Sequence, residues 1–366
     1  MAILGEYTFI VTNLLTGKVI DEVELSSMHW TDIYNKPGSG QATARIHHPK
    51  TTKENFNSWN NGLWVLKDGD IRFGGYLGKV QPRSGTGVIE IPVLGFMEYL
   101  RQRVVYDNSN MDDATFISND IKWENKEQFD IASDVVDHTQ QGDGNIGLSV
   151  IYSSPSGILR DETISVFEQK YAGDWFEGFA ARINGFGWAQ EYYYDGDDPK
   201  CRFRLTYPRT GRSTDFDLTY EQDSDGSNIV KYDLDGGQQP ITGRLVMVGA
   251  GEGDDMVTAT IIPASSEVAY DAVITYKDVS VQQTLVDKGY YHLAARGTPA
   301  RNFTISIDWN RGPFYTEFAP GDEMDVHIDD GFVQVDSVCT TISKQVTLSP
   351  QHDEDVKVSM IEVALL

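Results

Sequence analysis

Three glycines that follow an apolar run are the residues whose spacing most resembles a chemical motif. The segment Leu245–Met256 reads LVMVGAGEGDDM, which has the outline of a strand entering a phosphate-binding loop. A dinucleotide loop needs the spacing G-x-G-x-x-G at the start of a helix, so that backbone N–H groups face the pyrophosphate. Gly249, Gly251 and Gly253 are spaced G-x-G-x-G instead, and two aspartates and the β-branched run VTATIIP follow. The pattern predicts a glycine turn between two strands, with no helix beginning at Gly253 and no nucleotide bound.

Other residues capable of chemistry do not form a motif. The acidic turns at 195–198, 223–226 and 329–331 match only fragments of a calcium loop, so we interpret them as polar turns, with adventitious cation binding as the alternative. The histidines have no metal-ligand spacing, and the chain contains no G-x-S-x-G nucleophile motif. No carboxylate pair stands out among 55 acidic residues as a hydrolase pair. We therefore predict no catalytic residue, no metal site, no cofactor and no enzymatic activity.

The charge balance limits the possible partners. Acidic residues outnumber basic ones by 55 to 30, which gives a net charge of −25. Such a surface repels phosphate backbones and anionic lipids, so we predict neither specific nucleic-acid binding nor membrane binding. Cys201 and Cys339 lie far apart, and we expect both to be buried free thiols in a protein made in a reducing cytoplasm.

One pair of basic residues falls outside this pattern. The run TYPRTGR places Arg209 and Arg212 directly after a strand-like segment. In an acidic protein an arginine pair more often meets an acidic neighbour than a nucleic acid. An inter-subunit salt bridge at this position is the resulting hypothesis.

Hydrophobic patterning predicts three parts. Residues 1–95 alternate in short runs between turns rich in Gly, Asn and Asp, which is typical of a small barrel or sandwich. Residues 96–235 form an α+β middle region, and residues 236–366 return to strands with one helix. The fold class is therefore mainly β with an α+β insertion.

Two helices of the middle region have recognisable ends. Asn125 is the expected N-cap of the helix in ENKEQFDIASDVVDHTQQ. Asp174 is the expected cap of the helix in GDWFEGFAARINGFGW, whose apolar stripe extends to Ile183 and whose end lies near Gly185.

Several segments, taken in order, resemble one protein family. They are HWTDIYNKPGSGQATA at 29–44, QFDIA at 128–132, VVD at 135–137, NIGL at 145–148, GFGW at 185–188, LTYPRTGR at 205–212 and VGAG at 248–251. Together they resemble minor tail proteins of long-tailed phages (siphoviruses) of actinobacteria. The resemblance extends from about residue 29 to about residue 345, and the order of the motifs is more specific than any one of them.

The resemblance implies a baseplate hub protein of the tail tip. Such hubs form trimeric rings below the tail tube, and each subunit carries two barrel-like domains, so that three subunits imitate six-fold symmetry. It also implies a location in the virion after synthesis in the host cytoplasm, and a part in genome delivery. The implied partners are other copies of the chain, the tail tube or distal tail protein, other minor tail proteins and the tape measure protein.

Trp30, Asn35, Pro37, Gly38, Arg209 and Arg212 are the residues that we predict at interfaces. Three other functions stay open at this point. They are a hexameric distal tail protein, a tail protein that binds host-wall glycan through a Tyr- and Trp-rich surface, and a cell-wall hydrolase.

Overall fold

A computed structural model describes most of the chain. The described residues are 7–105, 120–168, 170–208, 212–221, 226–235, 242–262, 270–296, 302–308, 311–312, 317–349 and 354–362. The chain is mainly β, with a few helices, as the sequence predicts.

Eight antiparallel strands form the N-terminal part. They are β1 Tyr7–Asn13, β2 Val19–Val23, β3 Ser27–Ile33, β4 Ser39–Arg45, β5 Asn61–Lys67, β6 Asp70–Leu77, β7 Gln81–Arg83 and β8 Val88–Leu94. Seven of them are ordered β3-β4-β8-β6-β5-β1-β2, and β7 pairs with β8. The sheet encloses a first core that includes Val11, Trp30, Leu63, Val65, Phe73 and Ile91. Period-two alternation produces this arrangement, since β8 (VIEIPVL) buries every second side chain.

The middle region packs helices against short strands. Its elements are α1 Phe96–Leu100, β9 Ile121–Glu127, α2 Gln128–Thr139, β10 Ser149–Ile151, β11 Leu159–Ile164, α3 Ala172–Ala180, β12 Gly187–Asp195 and β13 Asp198–Thr206. They surround a second core that includes Phe129, Phe176, Phe186, Trp188 and Phe203. Strand β5 borders both cores: Leu63 and Val65 face the first core, whereas Trp64 and Leu66 face the second. Burial on both faces explains the unbroken apolar run GLWVL.

The helix ends differ from the predicted ones. The N-cap of α2 is Glu127, whose carboxylate accepts the Phe129 N–H at 2.6 Å, while Asn125 lies within β9 with a φ of 48°. The N-cap of α3 is Tyr171, and Asp174 lies in the first turn. Helix α3 ends at Ala180, which leaves Ile183 outside it and 65% exposed. Both cap predictions were wrong. The N-cap of α2 lies two residues after Asn125, and the N-cap of α3 lies three residues before Asp174.

The C-terminal part contains two cores. A third core, including Leu218, Phe303, Val326, Val335 and Cys339, lies among β14 Ser213–Glu221, β15 Ile229–Asp235, β19 Asn302–Ile307, β20 Glu323–Asp329, β21 Gln334–Leu348 and β22 Glu354–Glu362. A fourth core, including Leu245, Met247, Ile261 and Leu285, lies among β16 Thr242–Val248, β17 Thr258–Ile261, β18 Tyr270–Thr275 and α4 Gln282–Arg296.

The glycine segment joins β16 to β17, which pair as antiparallel neighbours. Gly251 and Gly253 have φ values of 100° and 59°, which glycine adopts readily. The three residues Gly253–Asp255 form a single 3₁₀ turn, and the chain then enters β17. The prediction of a turn between strands is confirmed. The prediction that no helix begins at Gly253 holds for an α-helix, but one 3₁₀ turn does begin there.

One fourteen-stranded sheet joins the first and third cores. The second half of β21 pairs with β3, from Ser343 opposite Ile33 to Leu348 opposite Met28. The edge of β3 that would close a barrel on β2 is therefore occupied by β21, and the sheets are not closed into barrels. Strand β14 belongs to the predicted middle region, yet it pairs with β20 of the C-terminal part. The division of the chain into three parts at residues 95 and 235 stays a prediction.

Both cysteines are free and buried, as expected. Burial raises the pKa of the Cys201 thiol well above its usual range and that of Cys339 to about 11. These thiols are therefore poor nucleophiles at neutral pH.

Removal of the Phe73 ring tests the first core. Phe73 is fully buried and stacks on Trp30, with ring centroids 6.0 Å apart. Phe73→Ala should lower the free energy of unfolding by about 3–5 kcal/mol, because it leaves a cavity in a packed core. The matched control is Phe332→Ala, since Phe332 is 95% exposed, and it should cost at most about 0.5 kcal/mol. Urea unfolding measures both, and similar losses would contradict this assignment of the core.

Candidate assembly surfaces

The predicted interface residue Asn35 joins two parts of the same subunit. Its φ is 57°, a left-handed conformation that asparagine tolerates. Its backbone N–H donates to the Trp188 carbonyl at 3.0 Å, and its Oδ1 accepts the Trp188 N–H at 2.7 Å. Trp188 is the second residue of β12 and is buried in the second core, so these two bonds dock the turn after β3 onto the middle region.

Gly38 completes the same contact. A Cβ atom at this position would lie 2.8 Å from the Thr31 carbonyl oxygen, so only glycine fits without a shift of the backbone. Its own carbonyl accepts the Gly95 N–H at 2.9 Å. Pro37 is half-buried beside it in the turn. The motif therefore makes contacts within the chain, and its contact with a neighbouring subunit stays a prediction.

Tyr34 links this turn to the C-terminal part. Its backbone N–H donates to the Ile342 carbonyl of β21 at 2.8 Å. Its ring lies against Gly321, whose φ is 96°, and a Cβ there would lie 2.6 Å from the ring. The three parts of the chain thus meet around Tyr34, Asn35, Trp188, Gly321 and Asp322, which we call the junction.

Arg212, the residue directly before β14, reaches the junction. Its Nη2 donates to Asp322 Oδ2 at 2.8 Å and to the Glu317 carbonyl at 3.1 Å. The same carboxylate oxygen accepts the Ala319 N–H at 2.9 Å, and Asp322 is almost fully buried. Arg212 therefore has its carboxylate partner within the chain. An additional bond to a neighbouring subunit stays a prediction, and Arg209 lies outside the described residues.

Trp30 is fully buried in the first core, where it packs on Phe73 and Tyr7. Large aromatic side chains are favoured both in cores and at interfaces. The structure assigns the Trp30 ring to the first core, and a contribution of Trp30 to an interface stays a prediction.

A polar cavity of about 290 Å³ lies beside the junction. Charged residues from all three parts line it, namely Asp32, Arg72, Glu191, Arg204 and Lys344. The Lys344 ammonium donates to the Phe318 carbonyl at 2.8 Å, and the Tyr192 hydroxyl donates to Asp32 at 3.1 Å. Burial lowers the pKa of Lys344 to about 8. The positive and negative side chains around the cavity lie close enough to compensate one another only while the three parts of the chain keep this relative position.

Edge strands supply surfaces for assembly with other chains. Strands β2 and β15 form the ends of the main path of the large sheet, and β18 is an outer strand of the small one. Each carries an exposed valine: Val19 is 45% exposed, Val230 63% and Val273 66%. Open edges with apolar side chains are sites where a second chain can add a strand.

Within the described ranges, no group of three His, Cys, Asp or Glu side chains is placed to hold a metal ion. None of the helices in the same part of the chain has the length and apolar character needed to cross a membrane.

Comparison with known proteins identifies the fold. No protein-family model and no curated protein matches the chain. Among solved structures, it is similar to the tail protein from Neisseria meningitidis MC58, with 13% identity over 98% of this chain and 97% of that one and a TM-score of 0.63. It is also similar to the 43 kDa tail protein of prophage MuSo2 from Shewanella oneidensis, with 12% identity over 98% of both chains and a TM-score of 0.63. A third match is prophage tail protein gp18 from Listeria monocytogenes EGD-e, with 11% identity over 96% and 94% and a TM-score of 0.54.

The chain has the fold of phage tail proteins. The matches extend over nearly the whole of both chains, so the fold likeness includes the junction and is not confined to one core. All three matched proteins are described as tail proteins, and none is described as an enzyme.

Gly321→Ala tests the packing of the junction. The added methyl group meets the Tyr34 ring, whereas at Gly331, with a similar φ of 82°, nothing lies within 4 Å. Both alanine variants bear the strain of a left-handed backbone, so Gly331→Ala is the matched control. Gly321→Ala should lose about 1–3 kcal/mol more than Gly331→Ala, the usual cost of overpacking. Equal losses in chemical unfolding would mean that the Tyr34 contact is unimportant.

Lys344→Met tests the buried charge. The unfolded lysine titrates near 10.5 and the folded one near 8, so the unfolded state binds more protons between these values. Below pH 8 the cost of burying the ammonium is fully present. As pH rises from about 8 toward 10.5, the folded lysine loses its charge and this cost is relieved. The free energy of unfolding of the wild type should therefore increase, by at most about 1.4 kcal/mol per pH unit.

The measured quantity is the difference in free energy of unfolding between wild type and Lys344→Met, followed from neutral to alkaline pH. The difference should change in favour of the wild type as pH rises. The same substitution at exposed Lys36 is the control for general effects of pH. A difference that stays constant with pH at Lys344 would contradict a buried ammonium.

Proposed function

We propose that this chain is a structural protein of the phage tail tip, a hub subunit that joins the tail tube to the more distal tail-tip or fibre components. The observation that carries the proposal is the fold likeness to tail proteins over 98% of this chain and 97% of the matched one. The resemblance of the ordered motifs to minor tail proteins of siphoviruses supports the hub assignment. Its role is assembly, without catalysis.

A ring of three subunits is the assembly that we propose. The first and third cores lie on one continuous sheet, so each subunit contributes two β-rich units. Three such subunits present six units, which suits contact with a six-fold tail tube. A closed ring needs head-to-tail contacts between different surfaces, and the edge strands β2, β15 and β18 are available for them.

The acidic charge suits a part in genome delivery. A net charge of −25 makes the surface of the subunit repel DNA. A ring of such subunits would let DNA pass without retaining it. The proposed partners are the tail tube or distal tail protein, other minor tail proteins and the tape measure protein.

A null mutant of the encoding phage tests this function. Without the chain, particles should lack a complete tail tip and be non-infectious, because the tube has no hub on which distal components assemble. Supplying the wild-type chain in trans should restore infectivity, and mass spectrometry of purified virions should detect it. Phe73→Ala, which removes part of the first core, is the negative control for complementation. Infectious virions that contain no copy of the chain would contradict the proposal.

A further inference from the structure

The turn between β20 and β21 presents an acidic and aromatic tip. We call the tip the four residues Asp329, which ends β20, and Asp330, Gly331 and Phe332 of the turn. Phe332 is 95% exposed, the most exposed large apolar side chain among the described residues. An aromatic ring placed in water at the end of a hairpin is typical of an anchor that becomes buried in a partner.

Hydrogen bonds hold the tip in one conformation. Asp330 Oδ1 accepts the N–H groups of Phe332 at 2.9 Å and Val333 at 2.7 Å, and its Oδ2 accepts the Tyr232 hydroxyl. The Asp329 carboxylate accepts the Gly331 N–H at 3.0 Å. The Tyr232 bond lowers the pKa of Asp330, so this carboxylate is charged at neutral pH. Because the tip is already ordered, burial of Phe332 costs little conformational entropy.

A cleft elsewhere on the subunit has the opposite character. It has a volume of about 440 Å³ and is lined by Arg160, Arg182, Ile183, Tyr276, Lys288 and His292. Ile183 and the Tyr276 ring supply apolar surface, and the Lys288 ammonium lies 4.4 Å from the centroid of that ring. The volume is within the range that holds a small ligand, so it accommodates an aromatic side chain.

The cleft is basic in a strongly acidic protein. Arg160 and Arg182 both lie over the Phe179 ring, at 5.6 Å and 4.9 Å, and Glu162 pairs with Arg182 at 2.5 Å. The pKa of Arg160 is lowered, first by burial and then by the charge of Arg182. Among the described residues, the lining of the cleft includes Arg160, Arg182 and Lys288 and no Asp or Glu, which favours an anionic occupant.

We propose that the tip of one copy docks into this cleft of a second copy, with Phe332 against Ile183 and Tyr276 and with Asp329 facing Lys288. Exposed Phe332 does not occupy the cleft of its own chain. Because tip and cleft are different surfaces, the contact is head-to-tail, the type that closes a ring. The inference rests on the proposed ring, since only self-association brings a second tip to the cleft.

Disulfide trapping tests the contact without removing its central side chains. Gln334→Cys lies two residues after Phe332, at the start of β21, and Ala181→Cys lies at the edge of the cleft; both positions are exposed. The native thiols Cys201 and Cys339 are buried and do not compete. Under mild oxidation the double variant should form covalent multimers that stop at the size of the ring, whereas each single variant should form at most dimers.

The control pair combines Ala181→Cys with Ser84→Cys, which lies in the exposed turn before β8. Trapping no stronger than this control would overturn the tip-to-cleft contact. If the wild type nevertheless forms rings by light scattering, the inference alone fails and the hub function stands. If the wild type forms no ring either alone or on tail tubes, the proposed ring and the inference fail together.

Substitutions at the contact supply a second readout. Phe332→Ala should weaken self-association by about tenfold or more, the effect of losing a buried aromatic anchor. Asp329→Lys should also weaken it, and adding Lys288→Asp to the same chain should restore much of the loss because the charges are then exchanged. Unchanged association in Phe332→Ala, or absence of rescue in the charge-exchanged variant, would contradict the proposed contact.

Discussion

Strand β21 runs from the third core into the first core, and its second half forms a backbone ladder with β3. Its residues Val335 and Cys339 are buried in the third core, and Val346 and Leu348 are buried in the first. Rotation of one core against the other would break this ladder and expose both ends of the strand. The two β-rich parts of the subunit are therefore held in one orientation by a single element.

The junction adds specificity to this orientation. The bonds between Asn35 and Trp188 fix the middle region, and the Tyr34 ring against Gly321 fixes the segment that enters β20. Beside them, Lys344 of β21 is buried among charges from all three parts. Buried charges rarely increase stability, but they penalise arrangements in which they lose their partners. Such a penalty suits the proposed ring, in which every copy has to adopt the same arrangement.

Local patterns predicted the local structure well. The alternating runs predicted most strands, and the spacing of Gly249, Gly251 and Gly253 correctly indicated a turn between strands. Apart from the two helix caps, the errors concern contacts distant in sequence. Barrel closure failed because the free edge of β3 pairs with a strand some 300 residues later, and nothing near β3 encodes that partner. The sequence also contained no sign of the contact between Asn35 and Trp188, because the two residues lie 153 positions apart.

The central claim is that one rigid subunit carries two β-rich units in a fixed relation. The symmetry of the tail tip tests this claim most directly. Cryo-EM of purified virions, with the tail tip refined without imposed symmetry, measures it. The account predicts three copies of this chain in a ring below the tube, each contributing its first and third cores to a pseudo-six-fold layer. A ring of six copies, or copies whose two cores are oriented differently from one another, would contradict it.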